Sequence, residues 1–202
     1  LKVPWEISPV QQDVGCVQSG PITINVAATW YEHDRFHRTW SERLQTEVDA
    51  MRAAAPKIVL ADTPYLALAA GKAAGIHSVA LASLTWDLIL SEYEAPPSID
   101  SLAITQSIRQ AYDQADAALL ITPAPLIESF SRRVSIGPIA EPAASAREQL
   151  TTRLALAPDE RIVLVGFGGV PLNSLPFDKL EELTGYRFLF DGTVPSTSTR
   201  SI

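Results

Sequence analysis

Two short stretches of the chain combine side chains that can bind and activate a hydroxylated ligand. An Asp-Thr pair directly follows the predicted strand at 57–61, and a Ser-Leu-Thr-Trp-Asp run directly follows the predicted strand at 77–82. A positioned carboxylate can take the proton of a hydroxyl group as a general base. An indole ring can stack on a sugar while nearby hydroxyl and carboxylate oxygens bind the sugar hydroxyls. The candidate catalytic residue is Asp62, and the candidate substrate-binding residues are Thr63, Ser83, Trp86 and Asp87.

Each of these side chains also has an ordinary structural explanation. Asp62 or Thr63 could cap the helix predicted after Pro64, because their oxygens can accept hydrogen bonds from first-turn N–H groups. Trp86 could pack in the core, with Asp87 beside it as a capping or solvated residue. The sequence leaves both interpretations open.

A glycine-rich stretch, "VGFGGV" at 165–170, follows a predicted strand and precedes a predicted helix. Glycines let backbone N–H groups approach a phosphate closely, and the start of a helix favours negative charge. The alternative is a plain tight turn, because Pro171 stands where the Gly-x-Gly-x-x-Gly pattern requires its last glycine. The candidate phosphate-binding residues are Gly166, Gly168 and Gly169.

Three other patterns do not support a site. Gly71-Lys72 lacks the earlier glycine and the following Ser or Thr of a phosphate-binding P-loop, and it lies within a predicted helix. His33 and His37 have the i, i+4 spacing of metal ligands, but no third ligand is evident, so a solvated helix face is the preferred interpretation. Cys16 has no assigned histidine partner for nucleophilic catalysis. We expect no metal and no bound cofactor.

Hydrophobic periodicity predicts the elements that position these residues. The first clear helical pattern begins near Arg38 and stops at Pro56, and helices then alternate with short apolar strands. Short, wholly apolar strands are typical of a parallel sheet, and right-handed crossovers would put helices on its two faces. The predicted fold class is α/β, with a Rossmann-like layered parallel sheet whose ligands bind beyond the carboxyl ends of the strands. The predicted strands are at 57–61, 77–82, 118–122 and 132–136.

The composition changes after Gly137-Pro138, where "AEPAASA" is typical of a linker. A helix follows, and then a strand at 161–165, a helix near 177–184 and the strand "YRFLF" predict the beginning of another α/β unit. We therefore expect a Rossmann-like N-terminal domain at 1–139, a linker and helix at 140–155, and an incomplete second α/β domain at 156–202.

Composition also restricts the partners of the chain. The 202 residues are 47% hydrophobic and carry a net charge of −7, so they can form a sizeable core but lack the basic surface typical of nucleic-acid binding. No apolar run approaches the ~20 residues of a membrane span. The single cysteine excludes an intramolecular disulfide and fits a reducing, cytoplasmic location.

The run from Ala61 to Tyr93 resembles the N-terminal, glycosyltransferase-like half of the L-arabinokinase family, a module with the two-domain GT-B architecture. That family carries an Asp at the end of a strand, an "AAGI" turn, and a Trp-Asp pair with a Tyr shortly after it. The segments "DVGCVQSG" at 13–20 and "IVLVGFGG" at 162–169 are similar to two further regions of the family. The matching residues of the main run are Asp62, Ala73, Ala74, Gly75, Ile76, Trp86, Asp87 and Tyr93.

The resemblance covers residues 12–192 and implies transfer of a sugar from a nucleotide-sugar donor to a hydroxyl acceptor, without a bound metal. Asp62 and the loop at 83–87 would line the acceptor side, and the glycines within 166–169 would contact the donor phosphates. It also implies that the first strand of the family and most of its donor domain lie outside this sequence. The alternatives are a non-catalytic sugar- or nucleotide-binding module and a hydrolytic epimerase on the same two-domain fold.

Overall fold

The computed structural model describes residues 6–20, 22–166 and 175–190. The chain divides into two compact units, one formed by Leu1–Val17 and Asn25–Ile139 and the other by Gln18–Ile24 and Ala140–Ile202. The strands are β1 (Gln18–Gly20), β2 (Thr23–Ile24), β3 (Val59–Asp62), β4 (Ser78–Ala82), β5 (Ala117–Ile121), β6 (Arg133–Ile136), β7 (Arg161–Val165) and β8 (Tyr186–Phe190). The helices are α1 (Val26–Arg38), α2 (Trp40–Ala54), α3 (Tyr65–Ala74), α4 (Trp86–Ser91), α5 (Ser101–Tyr112), α6 (Arg147–Arg153) and α7 (Phe177–Glu181).

The first unit is built on a four-stranded parallel sheet with the strand order β3-β4-β5-β6. Helices connect the first three strands, as the alternating pattern predicted. The helix α3 ends at Gly75, whose left-handed φ of 76° suits a residue without a Cβ atom. These features confirm the predicted α/β fold class with a Rossmann-like parallel sheet.

One face of this sheet carries the core of the first unit. Side chains alternate across a strand, and each of β3, β4 and β5 places an alanine on the inward face. Ala61, Ala80 and Ala118 are each at most 3% exposed. They let α3 approach β3 and β4 closely, and they share one cluster with Tyr65 of α3 and Tyr112 of α5.

The opposite face of the sheet is not covered by the described residues. Leu60 is 64% exposed and Val134 is 46% exposed. By the strand register, both side chains lie on the face opposite to Ala61, Ala80 and Ala118. The expectation of helices on both faces is therefore wrong for the described part of the chain. From β3 to β6 each new strand is added to the same edge of the sheet. Right-handed crossovers therefore place α3 and α5 on the same face of the sheet.

A helix that the sequence pattern did not reveal precedes α2. Asn25 begins α1, and its side-chain oxygen accepts a hydrogen bond from the N–H of Ala28 at 3.0 Å. The buried face of α1 includes Thr29 and His33 beside Trp30 and Phe36. Because two of these four residues are polar, the helical period was hidden in the sequence.

The second unit contains a short antiparallel pair, β1 with β2, and a parallel pair, β7 with β8. The helix α7 lies between the parallel strands in the sequence, and both α6 and α7 end earlier than predicted. An ion pair between Arg187 and Glu160, with Nε–Oε1 at 3.0 Å, joins β8 to the turn before β7. No helix in the described part of the chain has the length and apolar character needed to span a membrane.

Candidate functional site

The parallel sheet brings three of the predicted site residues to one edge. Asp62 ends β3 beside Leu81 of β4, and Ser83 follows two residues after Leu81. Asp62 and Ser83 are exposed, and Thr63 is half-buried. We call Asp62, Thr63 and Ser83 the edge site, because they lie at the carboxyl ends of two neighbouring strands, where ligands of open α/β sheets bind.

Neither Asp62 nor Thr63 caps the next helix. The N-cap of α3 is Pro64, and no side chain makes a capping hydrogen bond there. The capping explanation from the sequence is therefore wrong. The carboxylate of Asp62 has one neighbouring hydroxyl in the described structure, the Oγ1 of Thr63 at 3.5 Å from Oδ1.

A buried tyrosine fixes the two loops of the edge site. Thr63 has a φ of 75°, which is unusual for a β-branched residue. Its carbonyl accepts a hydrogen bond from the Oη of Tyr112 at 2.8 Å. The same Oη accepts a hydrogen bond from the backbone N–H of Trp86 at 3.2 Å. Tyr112 is 0% exposed, and burial raises its pKa well above the usual value, so the hydroxyl stays protonated and can donate to Thr63.

The indole of Trp86 is held by residues near the start of the chain. Its Nε1 donates a hydrogen bond to Oδ2 of Asp13 at 2.6 Å, and a Cβ atom added at Gly15 would lie 3.6 Å from its six-membered ring. Burial raises the pKa of Asp13, while the hydrogen bond from Trp86 acts in the opposite direction. Asp13 belongs to the segment 13–20 and Trp86 to the main run of the resemblance, so two stretches far apart in sequence meet here.

Asp87 lies in the helical layer and not at the edge site. It is 2% exposed, and its Oδ2 accepts hydrogen bonds from Nε of Arg109 and Oγ of Ser129, both at 2.8 Å. The explanation of Asp87 as a solvated residue is therefore wrong. It is not a cap either, because the N-cap of α4 is Thr85.

The predicted phosphate-binding glycines are only partly described. Gly166 directly follows β7 and is exposed, whereas Gly168 and Gly169 lie outside the described residues. Gly71 and Lys72 lie inside α3, as the sequence predicted, and so do not form a phosphate-binding loop.

The two histidines with metal-ligand spacing belong to the packed interior and not to a solvated helix face. His33 is 0% exposed, and both of its ring nitrogens lack a hydrogen-bond partner. His37 is half-buried, and its ring contacts those of Trp40 and Tyr65, with ring centroids 5.4 Å and 5.8 Å away. Burial is the main reason why the pKa of each histidine falls to about 4. Among the described residues no group of three or more His, Cys, Asp or Glu side chains could hold a metal ion.

Sequence reasoning missed Asp13 and Tyr112 as parts of this region. Tyr112 is one of several buried residues of α5, and Asp13 lies in a stretch without a clear helical or strand period. No local signal could have paired Asp13 with Trp86, because 73 residues separate them. The segment around Asp13 was similar to a region of the L-arabinokinase family, which was the only indication of its importance.

Comparison with known proteins indicates a distant relationship. No protein-family model matches the chain. L-arabinokinase from Arabidopsis thaliana is 24% identical to it over 167 residues, which cover 82% of this chain and 16% of the plant protein. The chain thus spans about a sixth of the length of that relative, and the comparison supports a distant relationship with L-arabinokinase over most of the chain.

Proposed function

We propose that the edge site binds a sugar and serves the acceptor side of a glycosyl transfer from a nucleotide-sugar to a hydroxyl group. The observation that carries this proposal is the placement of Asp62, Thr63 and Ser83 at the carboxyl ends of β3 and β4, with Asp62 exposed and not used as a helix cap. The similarity to L-arabinokinase, whose name denotes an enzyme acting on a sugar, supports a sugar ligand.

In this proposal Asp62 acts as the general base. Its carboxylate takes the proton of the acceptor hydroxyl as that oxygen attacks the anomeric carbon of the donor sugar. The bond between the anomeric carbon and the phosphate oxygen breaks, and the nucleoside diphosphate leaves with the electron pair. The hydroxyls of Thr63 and Ser83 orient the acceptor through hydrogen bonds. Trp86 supports this arrangement through its backbone N–H and through its contact with Asp13.

The donor side of the proposal rests on the glycine-rich stretch after β7. Backbone N–H groups at Gly166, Gly168 and Gly169 would bind the diphosphate, which removes the need for a metal ion. In this proposal the partners are therefore a nucleotide-sugar donor and a hydroxyl acceptor.

A transfer assay tests the proposal directly. The chain is incubated with UDP-, GDP- and dTDP-sugars and a set of hydroxyl acceptors, and the release of nucleoside diphosphate is measured against hydrolysis without acceptor. We expect Asp62→Asn to lower the transfer rate by about 100-fold or more, because general base catalysis contributes roughly 10²–10⁴-fold.

Asp49→Asn is the matched control, because Asp49 is an exposed carboxylate on α2 whose partner is the neighbouring Gln45. It should leave transfer unchanged. Equal rates for the Asp62→Asn variant and the parent chain would refute the role of Asp62. Sugar binding at the edge site without turnover would support the alternative of a non-catalytic binding module.

A further inference from the structure

Two consecutive residues near the start of the chain, Gln12 and Asp13, join the helices that follow β3 and β4. The backbone carbonyl of Gln12 accepts a hydrogen bond from the N–H of Leu66 in the first turn of α3, at 3.2 Å. The carboxylate of Asp13 accepts the hydrogen bond from the indole of Trp86, the first residue of α4. Val14, the next residue, is 6% exposed and packs in the core cluster of the first unit. This short stretch is therefore anchored in the core and attached to both loops of the edge site.

The hydrogen bond between Asp13 and Trp86 has the geometry of a charge-assisted bond. Its donor and acceptor atoms are 2.6 Å apart, which is shorter than the distance of about 2.9 Å usual for an N–H···O bond. A bond to an ionised carboxylate is about twice as strong as a neutral one. The hydroxyls of Tyr65 and Tyr112 interact electrostatically with Asp13, and their pKa values are raised mainly by burial and also by Asp13. Both hydroxyls therefore stay neutral beside the carboxylate.

The backbone of Trp86 connects this bond to the edge site. Its N–H donates a hydrogen bond to the Oη of Tyr112, which in turn donates to the carbonyl of Thr63. Ser83 lies three residues before Trp86 on the same loop. Release of the indole would remove a restraint on the loop after β4, and with it a restraint on the relative positions of the Thr63 and Ser83 hydroxyls.

We propose that Asp13 is a positioning residue for the acceptor side of the transfer reaction. By holding the indole of Trp86, Asp13 keeps the hydroxyls of Thr63 and Ser83 in the arrangement that binds the acceptor. Asp13 takes no proton from the acceptor, which is the role of Asp62, and it makes no contact with the donor. This inference rests on the proposed function and adds to it a residue from outside the two strand ends.

Steady-state transfer kinetics of the full chain separate a positioning role from a merely structural one. Asp13→Ala should raise the KM for the acceptor by about tenfold and leave the KM for the nucleotide-sugar unchanged, because the lost bond restrains the acceptor side only. Asp13→Asn should raise the acceptor KM only severalfold, since its amide oxygen can still accept a hydrogen bond from the indole. A merely structural role would reduce the fraction of folded chain, and this would lower the apparent kcat without changing either KM.

A double-mutant cycle tests whether Asp13 acts through Trp86. Trp86→Phe removes the indole donor but keeps an aromatic ring, and it should raise the acceptor KM as Asp13→Ala does. The two substitutions together should cause no further rise, because both remove the same contact. Trp86→Phe is also the second variant if circular dichroism shows that Asp13→Ala does not fold.

Asp116→Ala is the matched control for Asp13→Ala. The carboxylate of Asp116 accepts a hydrogen bond from the backbone N–H of Ser78, the first residue of β4, at 2.8 Å. This contact lies at the amino end of the strand, whereas Ser83 follows its carboxyl end. Asp116→Ala should therefore leave the acceptor KM at the value of the parent chain.

Three results would overturn the inference. An acceptor KM that is unchanged in both Asp13→Ala and Trp86→Phe would show that their contact does not position the acceptor, and it would leave the proposed function intact. Additive effects of the two substitutions would show that Asp13 acts independently of Trp86, again without affecting the proposed function. Absence of transfer by the parent chain would refute the proposed function and this inference with it.

Discussion

Removal of the Tyr112 hydroxyl tests whether its two hydrogen bonds stabilise the loops after β3 and β4. Tyr112→Phe keeps the ring and its packing in the core but removes the Oη. That oxygen donates to the carbonyl of Thr63 and accepts from the N–H of Trp86, so one atom joins the loops after β3 and β4.

The expected loss follows from those two hydrogen bonds. Each contributes about 1 kcal/mol net, and the loss is larger where the abandoned partner stays shielded from water. Thr63 and Trp86 are both half-buried, so their backbone groups regain only part of their hydration. We expect Tyr112→Phe to lower the free energy of unfolding of the first unit by about 2–3 kcal/mol.

Urea unfolding followed by tryptophan fluorescence reports on the first unit selectively. Trp30, Trp40 and Trp86 belong to this unit, and no tryptophan occurs at 18–24 or 140–202, the segments of the second unit. A fit of fluorescence against urea concentration yields the free energy for the parent chain and for the variant.

Tyr31→Phe is the control for this measurement. Tyr31 is 51% exposed on α1, so loss of its hydroxyl should change the free energy of unfolding by less than about 0.5 kcal/mol. If Tyr112→Phe also stays within about 0.5 kcal/mol of the parent chain, the hydroxyl does not hold the two loops and the reasoning fails.

Three further predictions follow from the packing of the first unit. Burial lowers the pKa of His33 from 6.5 to about 4. As the pH falls, His33 is therefore protonated in the unfolded chain before it is protonated in the folded chain. Stability measured by urea titration is therefore complete above pH 6.5 and falls as the pH decreases towards 4, and His33→Leu should reduce this loss. Trp86→Phe should lower stability by about 1.5–3 kcal/mol, because it removes the charge-assisted hydrogen bond to Asp13, whereas an unchanged urea midpoint would contradict that bond. Leu60→Lys on the exposed face should change the free energy of unfolding by less than about 0.5 kcal/mol, but Ala61→Lys should lower it by more than about 3 kcal/mol. Equal effects of these two substitutions would refute the assignment of the two sheet faces.

Local patterns were sufficient for most of the first unit. Short apolar runs ending in polar residues predicted β3 and β4, and the stops at Pro56 and Gly75 marked the ends of helical segments. These signals are local because they depend on backbone freedom and on side-chain alternation. Leu102 shows the limit of such patterns, since it is an apolar residue of α5 and is nevertheless 65% exposed.

The candidate site was only partly accessible from the sequence. The positions of Asp62 and Ser83 followed from the rule that parallel strands present their carboxyl ends at one edge. Asp87 did not follow, because its polar partners come from α5 and from the segment after β5, namely Arg109 and Ser129. The sequence does not distinguish a buried aspartate such as Asp87 from an exposed one such as Asp62. Only the packing around each side chain does so.

The sequence by itself determined the class of the fold, the alternation of strands and helices from α2 to β5, and the end of the sheet at which Asp62, Thr63 and Ser83 lie. The tertiary structure decided which of those residues share a site. It separated Asp87 from Asp62, joined Trp86 to Asp13 across the chain, and left one sheet face uncovered in the described residues. Propensity and periodicity act over a few residues, whereas burial and hydrogen-bond partners depend on chain segments that meet only after folding.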